Sequence, residues 1–239
     1  MALHKDFPRD PYAILNPEIR WFPADEVLRD TDKMQKLLPP LVSELRIKVK
    51  EWRDKNYEGA SETSKSLLTW WFKEEHTLYN QDGSSYNFRY YFSQREALET
   101  VVWLYEVAQV KDKYDLIRYN STGVLSPQMF TEEWLRFVIK MATGAGKTKV
   151  MSLLIAWAYF HKLYEDDSKL AKNFLLIAPN VIVFERIKND FDGNKIFSLD
   201  PVLPDNGYMG QNWQEDFQVT LHLQDDLKNI SGTGNIFLT

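Results

Sequence analysis

The octapeptide Met141-Ala142-Thr143-Gly144-Ala145-Gly146-Lys147-Thr148 constrains the fold more than any other stretch of this chain. Its residue types suit a loop that wraps the phosphates of a nucleotide. Glycines at 144 and 146 let the backbone turn tightly and aim successive N–H groups inward, Lys147 reaches the β- and γ-phosphates, and the Thr148 hydroxyl ligates Mg²⁺. Such a loop works between a buried strand and a helix whose partial positive end faces the phosphates. Both flanks have that texture. Arg136-Phe137-Val138-Ile139-Lys140 is β-branched and aromatic and predicts a buried strand, while Lys147 to Tyr164 contains neither Gly nor Pro and predicts a helix. Val150, Leu153, Leu154, Trp157, Ala158 and His161 recur there at helical spacing as an inner face. The expected class is α/β, a parallel sheet with flanking helices. The expected cofactors are ATP and Mg²⁺, held by Thr143, Gly144, Ala145, Gly146, Lys147 and Thr148, with Lys147 and Thr148 also serving the chemistry and Thr148 the metal. One position departs from the general pattern: Met141 stands where a first Gly is usual. The plain alternative is a Gly-rich turn without a ligand.

Upstream, Tyr91-Phe92-Ser93-Gln94-Arg95-Glu96-Ala97 contains Ser93-x-x-Glu96, a capping box ahead of Ala97, Val101, Leu104 and Ala108. Gln94 then lies in the first turn of a helix. Its carboxamide offers a donor and an acceptor that match adenine N7 and N6, although a solvated first-turn residue would read the same way. Downstream, Asn173 to Asn180 reads as a second buried strand ending at Pro179, with Asn180 capping a helix from Val181 to Phe191. That helix start offers N–H groups to a nucleic-acid phosphate, and Arg186 adds charge. Strand-Pro-Asn-helix is also an ordinary α/β connection.

Met-Ala-Thr-Gly-Ala-Gly-Lys-Thr, with Met in place of the first Gly, resembles motif I of superfamily 2 helicases and translocases, in particular the helicase subunit of type III restriction enzymes. Gln94 resembles the adenine-side motif of these proteins, Asn173 to Asn180 their motif Ia, and Pro11-Tyr12-Ala13-Ile14-Leu15-Asn16-Pro17-Glu18 their N-terminal arm. The resemblance implies a partial RecA-like P-loop NTPase domain over 86–239, preceded by a mainly helical region over 1–85. It implies DNA contact through Pro179, Asn180 and Arg186, action on DNA through a full-length protein, and a modification methyltransferase subunit as partner. An ATPase of this class also needs an acidic motif. The nearest candidate, Val219 to Asp226, alternates apolar and polar residues as a half-exposed strand does, so Asp225 and Asp226 read as strand-end or turn residues. Gly234 to Thr239 reads as a core strand. The expectation is an N-terminal fragment that ends before the acidic motif and lacks full ATPase activity.

The remaining features set bounds. A net charge of −5 gives no global attraction for nucleic acid, so any such contact is local. There is no cysteine, and the N-terminus lacks the apolar segment of a signal peptide. No apolar run is long enough for a membrane, which points to a cytoplasmic protein. None of His4, His76, His161 and His222 has a partner at metal-ligand spacing. An aromatic, Pro-punctuated arm from Phe7 to Phe22 precedes an apolar stripe at Leu41, Leu45, Val49 and Trp52. A second helix bears Leu67, Leu68 and Trp71 and is expected to end near His76, with Trp70 and Trp71 used for packing. Gln81 to Ser85 reads as a turn and domain boundary. Two rival functions remain: a non-catalytic nucleotide-binding module and a small-molecule kinase.

Overall fold

The computed structural model describes residues 42–119, 136–224 and 232–239. The Phe7 to Phe22 arm and the Asp225–Asp226 pair lie outside the described residues. In chain order come α1 (Val42–Asp54), α2 (Glu62–Phe72), β1 (His76–Tyr79), β2 (Ser85–Phe88), α3 (Phe92–Glu106) and α4 (Lys113–Ile117). Then follow α5 (Lys147–Tyr164), β3 (Asn173–Leu176), α6 (Val181–Phe191), α7 (Lys195–Ser198), α8 (Trp213–Asp216), β4 (Val219–Leu223) and β5 (Gly234–Leu238).

The chain divides into two units, Met1–Asp54 with Val110–Phe137, and Lys55–Gln109 with Val138–Thr239. In the first, α1 buries Val49 and Trp52 from the expected stripe and carries a Lys50–Asp54 pair at 2.6 Å on its exposed face. Helix α4 starts at Asp112, whose carboxylate accepts the Tyr114 and Asp115 N–H groups at 2.8 and 3.0 Å.

Among the described residues, the second unit holds a three-stranded sheet in the order β3-β5-β4, parallel throughout. Central β5 buries Gly234, Asn235, Ile236 and Leu238, as a strand covered on both faces must. A polar line runs obliquely across the sheet, from His222 Nε2 to Asn235 Oδ1 at 2.8 Å and from Asn235 Nδ2 to Asn173 Oδ1 at 2.8 Å. These bonds pin the register, since a slip of one residue would part all three side chains. β4 is an edge strand with exposed Thr220, in keeping with its alternating sequence.

Helix α5 spans the residues the sequence predicts, Lys147 to Tyr164, but it is buried more widely than one face. Ser152, Ile155, Ala156, Tyr159 and Phe160 are buried alongside Val150, Leu153, Trp157 and His161, because α5 packs against α2, α3 and α7. The Trp70 and Trp71 indoles donate to the Pro201 and Val202 carbonyls at 2.9 and 2.7 Å, the packing role expected of them.

Three local expectations change. Arg136 to Lys140 forms no strand: its residues are exposed, Val138 at 84 %, and none of β3, β4 and β5 pairs with it. β-Branched composition suits a strand but does not supply one, because extended backbone needs a ladder partner to satisfy its N–H and C=O groups. Helix α2 ends at Phe72, and His76 opens β1 with its Nε2 at 2.6 Å from the Trp70 carbonyl. β3, expected to be a buried strand running to Pro179, ends at Leu176 and alternates exposed and half-buried residues, Leu175 being 63 % exposed, because among the described residues it pairs on one side only, with β5. Gln81 to Ser85 forms the turn the sequence predicts, in the antiparallel β1–β2 hairpin, closed by Asn80 N–H to Ser84 O at 2.7 Å and by the Asp82 carboxylate accepting the Ser84 N–H at 2.9 Å.

At Gly234 the sheet packs close against α5. A Cβ there would stand 2.7 Å from the Tyr159 ring and 3.1 and 3.2 Å from the Gln218 and Lys172 carbonyl oxygens. Two of the three neighbours are backbone and cannot swing away. Gly234→Ala is therefore expected to destabilise the protein by about 1–3 kcal/mol, the usual cost of overpacking. A urea midpoint equal to wild type would show that β5 can move off α5.

Candidate nucleotide site

The loop 141–148 ends on the N-terminus of α5 with Gly146 as its cap residue. Gly144 and Gly146 have φ of 79° and 78°, a region that residues with a Cβ seldom adopt. The Ala145 N–H donates to the Ala142 carbonyl at 3.3 Å, and the Val150 N–H donates to Gly146 O at 3.2 Å, so the turn passes directly into the helix. Thr143, Gly144 and Lys147 are exposed, while Ala145, Gly146 and Thr148 are half-buried. The first turn of α5 contains no acid. It contains Lys147 and Lys149 instead, cations at the positive end of a helix dipole, an arrangement that favours an anion there.

The two lysines are held differently. Lys147 Nζ rests on the Ala142 carbonyl at 2.8 Å at the surface. Lys149 forms a short ion pair with Asp200 and lies 3.5 Å from the Ile196 carbonyl. That pair ties the segment after α7 to the first turn of α5. Sequence reading missed Asp200, because nothing in the spacing of residues 149 and 200 marks them as partners. Nearby, the Tyr90 hydroxyl is buried without a hydrogen-bond partner, and burial together with the Asp200 carboxylate pushes its phenol well above the ordinary range.

Gln94 reaches this loop from α3. The helix starts at Phe92 after Tyr91, so the Ser93/Glu96 capping box is not formed. Gln94 is the third helical residue and makes the back-reaching bond itself, its Oε1 accepting the Tyr91 N–H at 2.8 Å. Its Nε2 donates to the Ala145 carbonyl at 3.2 Å. Gln94 is buried, which removes it from the class of solvated first-turn residues. Phe92 and Arg95, on the same turn, line a cavity of about 390 Å³ together with Trp71, Phe72, Phe88 and Tyr90. Arg95 is fixed by Nε to Glu99 Oε1 at 2.7 Å and by its other nitrogen to the Tyr57 hydroxyl at 3.0 Å.

The two helices that carry Gln94 and Lys147 are joined again at their far ends. Glu106, the last residue of α3, lies 3.0 Å from His161 Nε2 in the last turn of α5, and both side chains are buried. The carboxylate also accepts the Ser61 N–H at 2.7 Å and the Ser61 and Ser64 hydroxyls, while His161 Nδ1 sits 2.7 Å from Ser168 Oγ.

Pro179, Asn180 and Arg186 all lie at the surface around the start of α6. Asn180 caps α6 as the sequence predicts, its Oδ1 accepting the Val183 N–H at 3.0 Å. Val181 and Ile182 beside it are exposed. Among the described residues there is no cluster of His, Cys, Asp and Glu able to hold a metal by itself, and no helix long and apolar enough to cross a membrane. Thr148 thus remains the one protein oxygen the sequence assigns to Mg²⁺, a metal that commonly takes few protein ligands beside water and phosphate.

A family model described as "Type III restriction enzyme, res subunit" matches residues 85–233, more than half of the chain and a span that includes Gln94, the loop 141–148 and the start of α6. No similar curated protein and no similar solved structure was found.

The Glu106 network predicts a pH dependence. Burial raises the Glu106 carboxyl, but hydrogen bonds from His161, Ser64 and the Ser61 N–H, with the charge of His161, outweigh it and hold the group below the ordinary carboxylate range. A carboxyl depressed by folding contributes stability above its unfolded value, about 4.3, and loses it as pH falls through the lower folded value. Glu106→Gln is expected to be less stable than wild type at neutral pH, with the gap closing as pH drops below about 4. A gap constant from pH 7 to pH 3 in urea titrations would remove Glu106 from the acid response.

Proposed function

Because the chain belongs to the family of type III restriction enzyme res subunits, a helicase-like, ATP-dependent module of restriction systems, we propose that it is the ATP-binding portion of an ATP-dependent DNA translocase. The observation that carries this reading is the loop 141–148 seated on the start of α5, with two positive-φ glycines and two lysines but no acid in the first helical turn. Backbone N–H groups and the helix end receive the phosphates, Lys147 exchanges its Ala142 carbonyl for the β- and γ-phosphates, and Thr148 holds Mg²⁺. Magnesium supplies charge neutralisation across the β- and γ-oxygens when bound. Nucleotide binding is assigned to the region 86–239, with 1–85 as a separate part ahead of it.

Gln94 supplies base preference. One N–H and one lone pair of its carboxamide are used by Ala145 and Tyr91, which leaves one donor and one acceptor for adenine N7 and N6. The cavity beside it, lined by rings and also by Lys73, Glu74, Glu75 and Arg89, is of a size for a purine nucleoside. DNA contact is assigned to the exposed start of α6, through Pro179, Asn180 and Arg186, in a full-length protein that works with a modification methyltransferase subunit in the cytoplasm.

Calorimetry tests the reading. Lys147→Ala is expected to reduce Mg·ATP affinity at least tenfold with an unchanged unfolding midpoint, since the lysine is exposed and its lost hydrogen bonds are charge-assisted. Thr148→Ala is expected to weaken binding in Mg²⁺ and have little effect in EDTA. Equal affinity of Lys147→Ala and wild type for Mg·ATP would overturn the assignment.

A further inference from the structure

We infer that Gln94 is a positioning residue for the phosphates as well as a contact for the base: it sets the orientation of the Ala145–Gly146 peptide. The inference rests on the phosphate-loop reading above and deepens it.

In a trans peptide the C=O of one residue and the N–H of the next point in opposite directions. Gln94 Nε2 holds the Ala145 carbonyl at 3.2 Å, so the Gly146 N–H is directed away from Gln94. A phosphate loop binds through N–H groups that converge on the anion, and one reversed peptide replaces a donor with a carbonyl that repels it. With glycines at both 144 and 146, the loop has little stiffness of its own to prevent that reversal. Beside the loop's own bond from the Ala145 N–H to the Ala142 carbonyl, a restraint on the Ala145 carbonyl comes from a side chain 51 residues earlier in the chain.

Gln94 is itself restrained. Its Oε1 accepts the Tyr91 N–H at 2.8 Å, which fixes the plane of the carboxamide and so the direction of its N–H groups. The residue is buried, and its helix is anchored one residue on by Arg95, clamped to Glu99 and Tyr57. Contact at Gly146 is close enough that a Cβ placed there would collide with Gln94 Nε2. Glycine at 146 thus answers to Gln94 and not only to φ.

The test uses a ligand that has no base. Mg·tripolyphosphate engages the loop but offers nothing to a base-reading side chain. Gln94→Met keeps the length of the side chain, stays neutral and cannot donate to Ala145. It is expected to weaken Mg·tripolyphosphate binding about fivefold, the worth of one net hydrogen bond, and to lower the preference for ATP over GTP as well. Unchanged tripolyphosphate affinity with a lost ATP preference would overturn the positioning role and leave Gln94 a base contact alone. Failure of the wild-type protein to bind Mg·ATP at all would instead strike the phosphate-loop reading. A second measurement guards against a poorly folded variant: Gly146→Ala is compared in the wild-type and Gln94→Ala backgrounds. The loss of tripolyphosphate affinity caused by Gly146→Ala is expected to be smaller without the Gln94 side chain, because the collision is gone; equal losses in both backgrounds would overturn the proposed contact.

Discussion

Burial of α5 along most of its length is the constraint on which the nucleotide-binding face depends. A loop that is exposed at Thr143, Gly144 and Lys147 has no packing of its own, so its position is that of the helix it opens. The helix is held by aromatic contacts: Phe160 against Trp213 at 4.8 Å and Phe217 at 5.6 Å, Tyr159 against Phe217 at 5.0 Å, and Trp157 against Tyr105 at 5.6 Å. Each such ring contributes on the order of 1.5–3 kcal/mol by leaving water, with a further fraction from edge-to-face geometry. These rings fix one rod against α2, α3 and α7.

Electrostatics then acts locally in a chain that is acidic overall. Two lysines at the start of α5 add to the helix dipole, and Asp200 neutralises the one that faces inward. Lys147 faces solvent with its ammonium on a backbone carbonyl, a weaker partner than a phosphate. A net charge of −5 therefore says little about this site, because the field an anion meets is set within a few ångströms and screened beyond about 10 Å.

What the sequence made legible follows from the range of each interaction. Helix α5 and the Asn180 cap of α6 were readable to the residue, since propensity, capping and the absence of Gly or Pro act within a few positions. β5 as a core strand and β4 as a half-exposed one were readable from their apolar patterns. The strand expected at 136–140 was not, because a strand exists only with a partner and composition names none. The start of α3 was misread by local rules in an instructive way: Ser93 and Glu96 fit a capping box, yet Gln94 performs the back-reaching half for Tyr91. Asp200, Tyr90 and the Glu106–His161 tie had no local signature, their partners lying 51 to 110 residues away.

Gly146 shows why a motif and its structural reason are separate things. In the sequence it is one letter of a phosphate-loop pattern, justified by a tight turn and a close approach to an anion. In the fold it meets two further demands that do not mention the anion: a φ of 78° and the amide of Gln94 in the space a Cβ would fill. The second demand links positions about fifty residues apart in the chain, since the Gln94 side chain occupies the space that a side chain at 146 would need. The joining of α3 and α5 at both ends, by Gln94 to Ala145 at one and Glu106 to His161 at the other, keeps that coupling short-ranged and stiff. The start of α3 and the loop 141–148 are in this way mechanically joined.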